Sequence, residues 1–193
     1  MANLCSTHVT LWGDTQLIDE VYNAIKTIRD AEPACWDLLA EFFGGATEEY
    51  SFIHYMEKGA VAGTTDSYIE FSLEDKWAPH VELFDIICKR YDGKLQYVYL
   101  AEESGCELFI NTDSQGLFYK DKYYLDLCVD NTYETFSLCN WDELVNTLIE
   151  IIPELKDREL PDNVNELERV VSDVLQDNYS DDDYAVMAEY CSL

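Results

Sequence analysis

The chain has 193 residues, of which 48% are hydrophobic and 13% aromatic, and its 40 acidic and 12 basic side chains give a formal net charge of −28. This is enough apolar material for one folded domain with an appendage, and too much for a disordered chain. The charge excludes direct binding to nucleic acid or to anionic membranes, which it repels, and it favours basic protein surfaces as partners.

Seven cysteines and three histidines are present. Because no two cysteines form a CxxC pair, their spacing does not predict a zinc site. Most of the cysteines lie in apolar strand or helix patterns, where a free cysteine behaves as a small hydrophobic residue. The first 25 residues contain no basic segment followed by an apolar run, and no window is long and apolar enough for a transmembrane helix. We therefore expect a cytoplasmic protein in a reducing compartment, with no membrane association.

The first third of the chain predicts a strand, two helices and a weakly patterned segment. Loose alternation across residues 3–12 is typical of a strand. Asp14 or Thr15 is the expected cap of a helix whose apolar residues recur every three or four positions, and a second short helix follows. Residues 46–65 are weakly patterned: residues 48–55 could form a strand or a helical turn, and the glycines at 59 and 63 then indicate a loop.

Residues 68–113 predict a strand–helix–strand–strand unit, with a chemical signal at each junction. The strand 68–73 leads through Trp77-Ala78-Pro79 into an amphipathic helix, since proline is tolerated in a first helical turn. An Asp92-Gly93 turn opens the apolar strand 95–100, and an acidic turn then precedes a return strand. This order of elements predicts an α+β fold.

The next segment predicts a hairpin and a capped helix. Residues 117–119 and 123–129 are strand-like runs joined by polar residues, and residues 135–138 predict a further strand. Asn140 and Glu143 have the spacing of a capping box, and Pro153 is expected to close the helix that follows.

The last 41 residues, 153–193, predict an acidic helical extension. Apolar residues at heptad-like spacing predict a helix across residues 164–175. Residues 184–190 predict a short terminal helix after three consecutive aspartates. The predicted domains are therefore an α+β domain at 1–152 and an acidic helical C-terminal extension at 153–193.

Three short motifs lie in the first 110 residues: Met1-Ala2-Asn3 with Cys5, Phe71 with Trp77-Ala78-Pro79, and Ala101-Glu102-Glu103-Ser104-Gly105. Together they resemble the YubB-like family, ferredoxin-like proteins carried on plasmids, phages and integrative elements. Leu4, His80 and Ala101 stand where that family has other residues. The resemblance implies a ferredoxin-like antiparallel sheet covered by helices and an origin in a mobile element, and it brings no catalytic residues.

The motifs predict no enzyme, no cofactor and no metal. A nucleophilic enzyme would pair a cysteine or serine with a histidine, but His8, His54 and His80 lie outside any recognised nucleophile motif. The glycines lack the spacing and the lysine of a phosphate-binding loop. The run Asp181-Asp182-Asp183 lacks the alternation of a calcium loop and is better explained as a helix cap.

Acidic residues interleaved with tyrosines are the remaining unusual feature. A mimic of duplex DNA needs many carboxylates on one face, because the duplex carries about one charge per 1.7 Å of axis, and tyrosines can anchor such an interface. We therefore predict a non-enzymatic acidic inhibitor of a mobile element, a DNA mimic that blocks the nucleic-acid-binding surface of a host restriction or CRISPR enzyme. The predicted partner-binding residues are Glu102, Glu103, Asp126, Asp130, Asp177, Tyr179, Asp181, Asp182, Asp183 and Tyr184.

The amphipathic helix at 164–175 indicates an alternative function. Its apolar stripe could serve as a helix-in-groove ligand or as the seam of a homodimer, which would make the chain an accessory interaction module acting through its C-terminal helices. The plain alternative for the charge is that the acidity only keeps the protein soluble. A third hypothesis is an enzyme, which a cleft where Cys88 or Cys106 meets a histidine would favour.

Overall fold

A computed structural model of the chain describes residues 4–31, 36–45 and 52–192. The chain forms two compact units, Met1–Asp113 and Ser114–Leu193. Both units combine helices with antiparallel strands, so the α+β class is confirmed. Among the described residues, none of the helices combines the length and the apolar character that crossing a membrane requires.

The first unit contains a five-stranded sheet and three helices within its described residues. In chain order they are β1 (Leu4–Asp14), α1 (Thr15–Ala31), α2 (Trp36–Phe43), β2 (Phe52–Ala60), β3 (Asp66–Lys76), α3 (Glu82–Arg90), β4 (Leu95–Glu103) and β5 (Leu108–Asn111). Strand β2 lies in the weakly patterned segment for which a strand and a helical turn were both open. The motif residues Met1-Ala2-Asn3 lie outside the described part of the chain.

The five strands are antiparallel in the order β2-β3-β1-β4-β5, so the first strand of the chain is central. Its alternation buries Cys5, Val9 and Leu11. They pack in one core with residues of α1 and α3, and the rings of Phe71 and Phe84 meet edge to face with centroids 5.1 Å apart. The strand–helix–strand–strand order predicted for residues 68–113 is therefore confirmed.

The second unit contains a three-stranded antiparallel sheet, two α-helices and a short 3₁₀ segment, Pro153–Asp157. The elements are β6 (Tyr123–Val129), β7 (Thr132–Leu138), α4 (Trp141–Ile151), α5 (Val164–Asn178) and β8 (Tyr184–Glu189). The strand order is β7-β6-β8. Asn140 caps α4 by accepting from the Glu143 amide at 3.0 Å, as the capping pattern predicts.

Two predictions in this unit are wrong, one of a hairpin and one of a helix. The partner of β6 is β7 rather than residues 117–119, because Asp130 and Asn131 have φ values of 52° and 61°, as in a two-residue hairpin turn. Residues 184–190 were predicted as a helix, yet β8 occupies 184–189 and pairs with β6. Its alternation of buried Ala185 and Met187 with exposed neighbours has the period of a strand.

The boundary between the units also differs from the predicted one at 152/153. Leu148 of α4, Leu155 of the 3₁₀ segment and Leu167 of α5 are all fully buried in one core with residues of β6 and β8. Residues 153–193 therefore supply a strand and a large share of the core of the second unit. They are not an extension attached to a complete domain.

Candidate interaction surface

One face of the β7-β6-β8 sheet turns away from the core of the second unit. On β6, Leu125, Leu127 and Val129 belong to the core, so the alternating residues Asp126 and Cys128 lie on the opposite face. Besides the row Ser137–Tyr124–Ala188, the strand register places two further rows of side chains across that face. These two rows are Tyr133–Cys128–Tyr184 and Thr135–Asp126–Val186, and together we call them the tyrosine face.

The tyrosine face exposes aromatic and aliphatic surface to solvent. Tyr133 is 72% exposed, Val186 41% and Tyr184 38%. Cys128 between the two rings is buried, and a hydrogen bond with its thiol is the main cause that raises the pKa of Tyr133. Tyrosine is one of the residue types that most often anchor protein interfaces.

Asp126 is the only charged residue within the two rows of the tyrosine face. It is half-buried, and its Oδ1 accepts from the hydroxyl of Thr135 at 3.2 Å. Partial burial and the nearby Asp126 carboxylate raise the pKa of Tyr184. The carboxylate therefore lies close to the ring of Tyr184, at the centre of an otherwise uncharged surface.

Acidic side chains gather at one end of this sheet, where two turns meet. The hydroxyl of Tyr179 donates to Glu154 Oε2 at 2.7 Å. Partial burial, this hydrogen bond and the charges of Asp130 and Asp183 raise the pKa of Tyr179 to about 12. Asp182 also raises the pKa of the nearby Tyr133, after larger effects of Cys128 and partial burial. We call this group the acidic rim; it comprises Asp130, Glu154, Asp181, Asp182 and Asp183.

Most of the predicted site residues in the second unit are brought together. The interactions above join Asp126, Asp182 and Tyr184 around Tyr133, and they join Asp130 and Asp183 around Tyr179. The two remaining predicted site residues of the second unit are exposed to solvent. Asp181 lies in the turn that also holds Asp182 and Asp183, and Asp177 lies in the last turn of α5.

The two predicted site residues of the first unit have other surroundings. Glu102 is half-buried on β4. Glu103 is only 5% exposed, and its carboxylate accepts from the backbone amide of Cys106. A carboxylate used in this way holds its own turn, and it cannot contribute a solvent-facing charge to a partner surface.

Sequence reasoning missed three surface residues of this region. Tyr133 and Val186 belong to the tyrosine face, and Glu154 belongs to the acidic rim. The run 184–189, YAVMAE, is apolar up to Glu189 and does not alternate in sequence, so no local signal indicated the strand that places Val186 on this face.

Helix α5 does not offer the apolar stripe that the alternative function needs. The residues of the stripe are buried in the core of the second unit: Val164, Leu167, Val171, Val174 and Leu175. Docking of this stripe into a partner groove, or into a second copy, would require α5 to leave its own core. The structure therefore argues against the C-terminal helix as a free docking element.

A second polar group lies buried at one end of the five-stranded sheet. The Asp75 side chain is fully buried, and its Oδ2 accepts from the Thr7 hydroxyl and from the His80 backbone amide, each at 3.2 Å. His80 Nδ1 lies 3.5 Å from Asp75 Oδ1. Burial raises the pKa of the adjacent Cys5 thiol, and Asp75 and Glu103 raise it further, against a lowering by its hydrogen bond with Thr7. A thiol in this state is a poor nucleophile.

The hydrogen bond from His80 to Asp75 closes a loop that presents Trp77. Trp77 has φ of 71°, a strained conformation for a bulky side chain, and it is 55% exposed. The Trp-x-Pro motif is thus held by a buried carboxylate. Among the described residues, no group of three or more His, Cys, Asp or Glu side chains is arranged to hold a metal ion.

Comparison with other proteins adds no family. No family model matches the chain, and no curated protein matches it. A crystal structure of an unknown protein from Galdieria sulphuraria is similar over 97% of this chain and 99% of that chain, at 9% sequence identity and a TM-score of 0.30. At that TM-score the likeness carries no argument about fold or function.

Proposed function

We propose that the protein is a non-enzymatic acidic inhibitor that occupies the basic nucleic-acid-binding surface of a host defence enzyme, such as a restriction or CRISPR nuclease. The observation that carries the proposal is the tyrosine face with its acidic rim. Of the 19 acidic residues in Ser114–Leu193, 15 are exposed, against only five basic residues in the same unit. Exposed aromatic anchors beside dense negative charge suit a surface that normally holds nucleic acid.

The two parts of the surface have different tasks in this proposal. The exposed carboxylates attract a basic partner at long range and raise the rate of association, an effect that salt screens. Tyr133 and Tyr184 supply contact area that persists after docking and so determine the rate of dissociation. In the DNA-mimic form of the proposal, the carboxylates of the acidic rim stand in for phosphates.

The proposal includes a ferredoxin-like first unit and a mobile-element origin. Two helical connections, β1-α1-β2 and β3-α3-β4, with strand order β2-β3-β1-β4, support the ferredoxin-like arrangement. The mobile-element origin rests on the resemblance of the short motifs to the YubB-like family. The free cysteines of the described residues support a cytoplasmic setting. The proposal does not include docking through the C-terminal helix, because the apolar stripe of α5 is buried in its own unit.

The test is inhibition of DNA cleavage by a purified restriction endonuclease and by a purified CRISPR nuclease. We expect inhibition of at least one enzyme, relief by excess DNA, and an affinity that falls at least about tenfold between 50 and 200 mM salt. An affinity that barely changes with salt would contradict the mimic.

Charge-matched variants locate the working surface in this assay. The triple variant D130N/D181N/D182N removes three charges from the acidic rim, and E150Q/D157N/D173N removes three exposed charges elsewhere in the same unit. We expect the rim variant to lose several times more affinity than its control. Equal losses would show that net charge alone is responsible, as the solubility hypothesis holds.

A further inference from the structure

The centre of the tyrosine face combines one carboxylate with two aromatic rings. Asp126 lies opposite Thr135 and Val186, and Tyr133 and Tyr184 are its diagonal neighbours on the two flanking strands. Diagonal neighbours in an antiparallel sheet lie about 7–8 Å apart, within reach of aromatic side chains. The rings therefore stand on either side of the carboxylate.

The carboxylate at this centre has capacity for a further donor. An ionised carboxylate offers about four acceptor sites, and Asp126 accepts from the hydroxyls of Thr135 and Tyr184, which leaves about two sites for a further donor. Because the side chain is half-buried, a cation placed on it would be screened less than a cation on the acidic rim.

We propose that the tyrosine face binds an arginine side chain of a basic partner protein, with the guanidinium on Asp126 and against the rings of Tyr133 and Tyr184. The inference rests on the proposed function, which supplies the basic partner. Arginine fits better than lysine because its planar guanidinium can donate two parallel hydrogen bonds to one carboxylate and can also stack on an aromatic face.

A second copy of this chain is not the occupant. Each copy has a net charge of −28 with only 12 basic residues, so two copies repel one another at long range. Charge complementarity instead favours a partner whose surface is rich in arginine.

Two 12-residue peptides provide the probe: six arginines alternating with six serines, and the same peptide with lysine in place of arginine. Their dissociation constants are measured at one low salt concentration for the natural chain, for D126N and for the control D173N, an exposed carboxylate on α5. We expect the natural chain and D173N to prefer the arginine peptide by about tenfold, and D126N to lose most of that preference.

Y133A provides a second variant, because Tyr133 is largely exposed and its truncation leaves the core intact. We expect it to reduce the preference for arginine about threefold, and ring-proton shifts in NMR spectra to place the arginine peptide at Tyr133 and Tyr184.

The outcomes separate the inference from the proposed function. Binding of both peptides with an equal loss of preference in D126N and D173N, or with no preference at all, would overturn the arginine site and leave the acidic inhibitor standing. If neither peptide binds, both the arginine site and the acidic inhibitor are overturned.

Discussion

Replacement of Asp75 by alanine should destabilise the first unit strongly. The fully buried carboxylate accepts from the Thr7 hydroxyl and from the His80 amide, and it faces the His80 ring. A hydrogen bond to a charged group contributes about 1.5–3 kcal/mol, and removal of one partner from a buried charged group costs about 3–5 kcal/mol. We therefore expect D75A to lower the free energy of unfolding by about 3–5 kcal/mol, a large fraction of a typical domain stability.

Urea unfolding followed by circular dichroism measures this loss, and acrylamide quenching of tryptophan fluorescence reports on the Trp77 loop. Glu74 provides a matched control on the neighbouring position, because it is exposed and makes only a surface ion pair with His54 at 3.1 Å. We expect E74Q to cost less than about 1 kcal/mol. A D75A protein within 1 kcal/mol of the natural chain, with unchanged quenching, would refute the role of the carboxylate as the anchor of the loop.

Two further expectations concern alkaline pH and helix α5. The pKa values of Tyr91 and Tyr179 are raised from 10.0 to about 12, so the folded chain must keep these hydroxyls protonated where the unfolded chain ionises. The stabilisation that these two hydroxyls contribute is therefore fully present below pH 10 and is lost as the pH rises towards 12, which thermal unfolding across that range should show. In ultraviolet titration, E154Q should lower the pKa of Tyr179. An unchanged pKa would contradict the cause given for it. Because Leu167 is fully buried, L167A should lower the free energy of unfolding by about 2–5 kcal/mol in chemical denaturation. The control R169A, at an exposed position of the same helix, should lower it by less than about 0.5 kcal/mol. Equal small losses would indicate that α5 is not part of the core.

Local signals account for the elements that sequence reasoning placed well. The Asp14 side chain accepts from the amides of Gln16 and Leu17 at 2.9 and 3.2 Å, and Asn140 caps α4 in the same manner. These caps, the apolar stripes of the helices and the turn before β4 depend on residues close in sequence, so the pattern alone indicates them.

Elements that depend on distant pairing were missed or placed wrongly. The mostly apolar run YAVMAE at 184–189 fits a short helix as well as a strand until β6, about 60 positions earlier, supplies the hydrogen-bonding partner. The Thr7–Asp75 hydrogen bond joins residues 68 positions apart. No local pattern therefore distinguishes Asp75, as a buried carboxylate, from the exposed ones among the 40 acidic residues.

The sequence by itself determined the α+β class and the excess of negative charge, because these follow from composition and short-range periodicity. Only the tertiary structure decided which carboxylates face solvent and which tyrosines stand beside them. Tyr133 and Tyr184 are 51 positions apart, and they flank Asp126 because β7 and β8 pair with opposite edges of β6. The candidate surface therefore arises from strand pairing, which brings together residues that are far apart in the chain.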